Sequence, residues 1–274
     1  MQIMFRGKSI DCSKSHIVGI LNVTPDSYND GGQYVVEEKA LKRAKECYEE
    51  GALIVEVGGE STGPNSQDVS EEEEIQRVLP VVRSIRQAFP DRWISVDTWK
   101  ASIAEAALES GADMINDITA GRGDPRMFEV IAKNGCPYVL MYSKDSSART
   151  TKQDQVYTDV ILTIHTFLKE RIALAKSAGI ASSQIIVDPG LGHFISSIPS
   201  YSFQILEYLE YFRDLAPVFI SPSRKSFLAG TENLPVSKRL PATLAATKIA
   251  LEHGASFLRT HDVLATRQVI DALL

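Results

Sequence analysis

The sequence predicts an α/β fold, a TIM (β/α)8 barrel, and three observations lead there. Short apolar or β-branched runs alternate with longer stretches of helical period, the alternation repeats eight times in succession, and several helical stretches end at a glycine just before the next run. That pattern marks parallel β-α units. An open doubly wound sheet shares the local alternation, but eight consecutive units favour closure, and such a barrel takes about 250 residues. No Ser/Pro-rich linker or break in composition divides the chain, so residues 1–274 read as one barrel domain.

Taken in order, the expected strands are 16–21, 52–58, 93–97, 113–117, 137–141, 184–188, 217–220 and 256–259. Each is a short run dominated by Val, Ile, Leu, Met or aromatic residues, as strands buried on both faces require. Amphipathic stretches fill the gaps at 37–50, 70–88, 101–110 and 126–133, each opening on polar or acidic residues. The longest, 153–176, precedes the sixth strand, and 240–252 precedes the eighth. Gly51, Gly111, Gly135, Gly179 and Gly254 stand where a helix takes a left-handed stop before its strand.

Composition narrows the function. The chain is 44% hydrophobic and 23% charged, which is ordinary for a globular protein with a full core. A formal net charge of −6 argues against a nucleic-acid binder, which needs a broad basic surface. Cys12, Cys47 and Cys136 are odd in number and form no C-x-x-C pair, so they read as reduced thiols of a cytoplasmic protein. Residues 1–15 lack an apolar signal core, and no run approaches the roughly 18 residues that span a bilayer, so no membrane partner is expected.

In a barrel of this type the chemistry sits at the C-terminal ends of the strands. After the first run comes Asn22-Val23-Thr24-Pro25-Asp26-Ser27, and after the second Gly58-Gly59-Glu60-Ser61-Thr62-Gly63-Pro64, whose glycines would let backbone approach a ligand. The third ends in Asp97-Thr98, the fourth in Asn116-Asp117, the fifth in Met141-Tyr142-Ser143 and the sixth in Asp188-Pro189-Gly190. Read singly, Asp97 or Thr98 caps the next helix and the others are turns. Read together, Asp97, Asn116 and Asp188 end apolar strands on one face, where buried acceptors need donors. A donor-rich polar heterocycle or well-placed cations would supply them. The last two units end in Ser221-Pro222-Ser223-Arg224-Lys225 and Arg259-Thr260-His261-Asp262, basic and hydroxyl groups where barrels often hold phosphate. Arg259 and His261 alternate along one strand and so point the same way. The remaining histidines lack metal-ligand spacing, and Ser61 and Ser223 show no base partner for nucleophilic work.

The stretches Gly19-Ile20-Leu21-Asn22-Val23-Thr24-Pro25-Asp26-Ser27 and Gly58-Gly59-Glu60-Ser61-Thr62 resemble the signatures of dihydropteroate synthases. So do Ser95-Val96-Asp97-Thr98, Asn116-Asp117-Ile118, Asp188-Pro189-Gly190, Ser223-Arg224-Lys225-Ser226-Phe227 and Arg259-Thr260-His261-Asp262, in family order from residue 19 to 262. The resemblance implies a Mg2+-dependent condensation of dihydropterin pyrophosphate with 4-aminobenzoate, in which pyrophosphate leaves before the amine attacks. By this likeness Asp97, Asn116, Asp188 and Lys225 hold the pterin, Asn22 ligates Mg2+, and Arg259 and His261 bind the diphosphate. Thr62, Pro64, Ser223 and Lys225 border the aminobenzoate pocket, with Met141 and His193 also expected at the substrates. A homodimer through the outer helices is implied too. The glycines and the 22–32 loop suggest a lid that orders over substrate, since water must be kept from a cationic intermediate.

Four positions depart from the family pattern. Gly63 stands where an Arg is usual, Tyr28 where a Phe is usual, Tyr142 where a His is usual, and Gly192-His193-Phe194-Ile195 replaces a G-F-G-K continuation. The segments 188–200 and 141–143 look more like the sulfonamide-resistant, mobile-element-borne members of the family. The expectation is therefore an enzyme that accepts 4-aminobenzoate while binding sulfonamides poorly, because a reshaped pocket can reject the bulkier sulfonyl group. Two other readings compete: a non-catalytic pterin-binding paralogue, and the pterin-binding module of a corrinoid-dependent methyl transferase. Neither needs Arg259, His261 and Ser223-Arg224-Lys225 together.

Overall fold

A computed structural model describes residues 2–23, 32–61, 63–64 and 66–273. The chain opens with an antiparallel hairpin, β1 (Gln2–Phe5) and β2 (Lys8–Asp11). Among the described residues, eight β-α units follow: β3 (His16–Asn22) and α1 (Gly32–Glu50), β4 (Ile54–Gly58) and α2 (Glu71–Ala88), β5 (Trp93–Asp97) and α3 (Ala101–Glu109), and β6 (Met114–Asp117) and α4 (Met127–Asn134). Then come β7 (Tyr138–Met141) and α5 (Val160–Ser177), β8 (Ile185–Asp188) and α6 (Pro199–Glu207), β9 (Phe219–Ile220) and α7 (Leu240–Glu252), and β10 (Phe257–Thr260) and α8 (Val263–Leu273).

The unit strands pair in parallel in the order β8-β7-β6-β5-β4-β3-β10-β9. A parallel bridge between Val187 and Val218 joins the two ends of that sheet, and the Val187 amide donates to Pro217 O at 3.0 Å, so the sheet curls into the expected barrel. Strand β9 is shorter than the expected 217–220 because Pro217 has no N–H to give to a ladder.

Helix positions follow from local chemistry. The Ser70 hydroxyl accepts from the Glu73 amide at 3.2 Å, and Glu71 to Glu74 fill the first turn of α2, where negative charge meets the positive end of the helix dipole. Helix α5 begins at Val160 and not at 153, because the Asp159 carboxylate caps it by accepting from the Leu162 amide at 2.9 Å. Gly135 ends α4 at a φ of 65°, the left-handed stop expected there.

The hairpin and the helices α6 and α8 were not anticipated. The hairpin covers the N-terminal end of the barrel, burying Ile3, Phe5 and Ile10. Lys8 Nζ there donates to Arg92 O at 3.0 Å and to Asp113 Oδ1 at 3.2 Å, at the starts of β5 and β6. With that end closed, the C-terminal rim is left for a ligand. The three cysteines are buried and free. Among the described residues no helix is long and apolar enough to cross a membrane.

Candidate active site

Strand register brings the polar side chains together. Asn22 lies opposite Gly58, Gly58 opposite Asp97, Asp97 opposite Asn116, and Met141 opposite Asp188. Above these strand ends opens a cleft of about 750 Å3, lined by Asn22, Asp97, Ser223, Lys225, Arg259 and His261 among others. Asn116, Met141 and Asp188 are buried at the ends of their strands.

Arg259 organises one side. Its Nη2 donates to Asp97 Oδ2 at 2.8 Å and its Nε to Glu56. Glu56 is fully buried in the middle of β4, where it also accepts from Ser95 Oγ at 3.0 Å and from Asn116 Nδ2 at 3.2 Å. Burial pushes the Asp97 carboxyl above its ordinary range even though Arg259 pulls it down, and nearby Glu56 adds to the rise. Asp97 does not cap α3, since the Ala101 amide is taken by Asp124 Oδ2 at 3.0 Å.

Asp188 and Lys225 form the other side. Asp188 Oδ1 accepts from the Gly190 amide at 2.7 Å, and burial raises its carboxyl to about 6 against the pull of Lys225. Lys225 Nζ donates to Leu191 O at 3.2 Å and stands 5.0 Å from the Phe194 ring centroid. Burial lowers it to about 8 despite Asp188. Both groups are thus held in the less charged direction by an environment short of water, and both gain from a ligand that supplies the missing partners.

Ser223 does have a base partner, contrary to expectation. Its Oγ is 2.9 Å from His261 Nδ1 and also accepts from the His261 amide at 3.1 Å. Burial, with Arg259 and Arg224 nearby, lowers His261 to about 4, so the ring is neutral at ordinary pH. Arg224 itself is engaged elsewhere, its Nε donating to Asp262 Oδ2 at 2.9 Å.

Other expected residues fall less centrally. Phe194, not His193, lines the cleft, while the His193 carbonyl accepts from Lys144 Nζ and Thr150 Oγ1, each at 2.8 Å. Gly63 lines the cleft, and Pro64 follows it half-buried. Gly59 serves packing rather than ligand approach: a Cβ there would stand 2.6 Å from Val78 Cγ2 of α2. Tyr142 packs edge-on against Phe167 with centroids 5.1 Å apart, and its hydroxyl lies 3.3 Å from that of Tyr157. Thr62, and Tyr28 with most of the expected 22–32 lid, lie outside the described residues.

The sequence reading missed Glu56, although a carboxylate inside the run Ile54-Val55-Glu56-Val57 was a visible signal. It also missed Arg149, for which there was none. Arg149 reaches from the segment after β7 to the segment after β4, donating to Asp68 Oδ1 at 2.6 Å, to Glu60 Oε1 at 3.4 Å and to Ser66. Glu60 in turn accepts from Lys100 Nζ at 3.0 Å and from Trp99 Nε1 at 3.2 Å. Among the described residues there is no group of three or more His, Cys, Asp or Glu side chains able to hold a metal.

A parallel barrel with buried acceptors and cations facing one cleft at its C-terminal rim defines an enzyme that takes a small, donor-rich ligand there. Residues 18–261 match the family described as pterin binding enzyme. The dihydropteroate synthase of Clostridium beijerinckii is 40% identical over 253 residues, covering 92% of this chain and 90% of that protein. Among solved structures, the Xanthomonas albilineans dihydropteroate synthase with 4-aminobenzoic acid superposes with a TM-score of 0.90 at 34% identity, covering 99% of this chain and 96% of that one. The Yersinia pestis dihydropteroate synthase in complex with a sulfonamide drug gives 0.91 at 35%, covering 100% and 98%. The chain belongs to the pterin binding enzyme family and, within it, to the dihydropteroate synthases. Identity at this level along the whole chain favours the synthase over both the non-catalytic and the methyl-transfer readings.

Proposed function

We propose a division of labour among these residues for joining (7,8-dihydropterin-6-yl)methyl diphosphate to 4-aminobenzoate, which gives 7,8-dihydropteroate and pyrophosphate. Asp97, Asn116 and Asp188 receive the donors of the pterin, with Lys225 beside them and Met141 packing close by. The observation that carries this reading is the set of buried acceptors short of donors. Among the described residues Asn116 Oδ1 has no hydrogen-bond partner, and burial raises both Asp97 and Asp188.

The C–O bond of the methylene breaks with its electron pair going to pyrophosphate, and the aminobenzoate nitrogen then bonds to the methylene carbon and loses a proton. Arg259 and His261 stabilise the leaving diphosphate. Because Ser223 Oγ already accepts from the His261 amide, its own proton is available to Nδ1. The neutral ring then carries its hydrogen on Nε2, where it can donate to a phosphate oxygen. Ser223, Lys225, Thr62 and Pro64 border the aminobenzoate, and His193 acts through the turn that presents Phe194.

Asn22 would hold Mg2+. A single exposed amide oxygen suits that ion, which keeps several waters and takes most other ligands from substrate phosphates. When bound, it neutralises charge on the diphosphate. The enzyme works in the cytoplasm as a homodimer through its outer helices, a reading supported by the free cysteines and the family likeness. It also responds weakly to sulfonamides, for which Gly63, Tyr142 and the His193 turn are the support.

Pyrophosphate release by the purified protein with Mg2+ and both substrates tests the whole. Release that depends on 4-aminobenzoate is expected. Pterin binding without any release would return the non-catalytic reading.

A further inference from the structure

We propose that Glu56 is a positioning residue that decides what the pterin site can recognise, an inference that rests on the pterin reading above. Glu56 is fully buried in the middle of β4 and touches three groups from three other strands: Ser95 of β5, Asn116 of β6 and Arg259 of β10. It is fully buried with its carboxylate engaged by these three neighbours, so it acts through them.

Its effect on Asn116 is one of orientation. An amide side chain offers an acceptor on one edge and donors on the other, and its direction is set by its surroundings. Asn116 Nδ2 lies 3.3 and 3.2 Å from the two Glu56 carboxylate oxygens, which only accept. The NH2 group must therefore face Glu56, leaving Oδ1 as the free edge, buried and without a partner among the described residues. A ligand group meeting that edge has to be a donor. Glu56 thus converts an ambivalent amide into a fixed acceptor. The same carboxylate holds Arg259 Nε, so that the guanidinium reaches Asp97 through Nη2 in a set direction. A single carboxylate, contributed from one strand, aligns both ends of the pterin-facing wall.

Glu56→Gln keeps the shape but adds an NH2 that can face Arg259 or Asn116 and permits the amide to flip. We expect pterin affinity to fall about tenfold or more, with the KM for 4-aminobenzoate unchanged. Glu56→Asp retains the charge with a shorter reach, and its affinity should lie between those of the native enzyme and Glu56→Gln. In a double-mutant cycle, Asn116→Ala should cost markedly less pterin affinity when combined with Glu56→Gln than when made alone, since the partner it removes is already misaligned.

The probe is 6-hydroxymethylpterin, titrated by calorimetry alongside steady-state kinetics and a melting curve. Failure of the native enzyme to bind the pterin would refute the site reading itself. Native binding with Glu56→Gln equal to wild type would overturn the Glu56 proposal alone. If Glu56→Gln does not fold, Glu56→Asp decides in the same way. Additive losses in the cycle, or equal losses for both substrates, would also overturn it, because a merely structural residue would damage both sites.

Discussion

At the base of the cleft, Glu56, Asn116 and Asp188 sit buried on parallel strands, Glu56 accepting from Asn116 and Asp188 from the Gly190 amide, whereas its mouth near Ser66 and Arg149 is built from loops. Asp68, an ion-pair partner of Arg149 there, has a side chain 97% exposed. The difference is one of dielectric. Buried groups interact strongly and are costly to leave unpaired, while exposed ion pairs are screened and contribute little. The base should therefore set which heterocycle binds, and the mouth should only adjust how the second substrate enters.

The largest test of that contrast is removal of a buried charge. Lys225→Ala and Asp188→Ala should each cost about 1.5–3 kcal/mol of pterin recognition, the range for a charge-assisted hydrogen bond, or roughly ten- to a hundredfold in kcat/KM. Melting temperatures should move far less, because each residue is held against its preferred ionisation in the free enzyme. Variants that unfold before they lose activity would mean that these charges serve the barrel and not the ligand.

A smaller effect should appear with pH. Burial raises Asp188 to about 6, so below that value it is neutral and accepts poorly. Pterin affinity should rise as pH rises through about 6, and Asp188→Asn should flatten that limb in calorimetric titrations. For the free protein the sign is opposite. A carboxyl raised above its unfolded value favours the fold at low pH, and that contribution disappears as pH climbs through the folded value. Asp188→Asn should remove this part of the melting profile as well.

How much of this was legible beforehand follows the same division. Strands buried on both faces must be apolar throughout, so the barrel could be read from composition along the chain, and polar residues at the ends of those runs marked the rim. Asp97, Asn116 and Asp188 were visible because each interrupts such a run. Glu56 interrupts one too, but from the middle, where a carboxylate is easily passed over unless its partners are known. Those partners, Asn116 and Arg259, are 60 and 203 residues away. Ser223 and His261, 38 residues apart, met for the same nonlocal reason. Arg149 left no trace, since one arginine in an irregular polar stretch looks like any solvated charge. The start of α5 was misplaced because an Asp cap resembles other polar residues until the helix it caps is seen.

At the mouth, the expected effects are weaker and specific to the second substrate. Sulfonamide inhibition should require concentrations about tenfold or more above the KM for 4-aminobenzoate, a discrimination of about 1.4 kcal/mol or more that reshaped loops can supply. Inhibition near that KM would remove Gly63, Tyr142 and His193 from the argument. Smallest of all should be Arg149→Ala. Its contact with Asp68 is exposed, and such pairs are worth about 0.2–1 kcal/mol. Its reach to Glu60 nevertheless ties the segment after β7 to a carboxylate already fixed by Lys100, so that it restrains the loop carrying Gly63 and Ser66. Arg149→Ala should raise the KM for 4-aminobenzoate a few-fold, a loss that grows less apparent at high salt, with the KM for the pterin unchanged. A comparable rise in both constants would show that the mouth and the base are one coupled structure, and the contrast between them would fail.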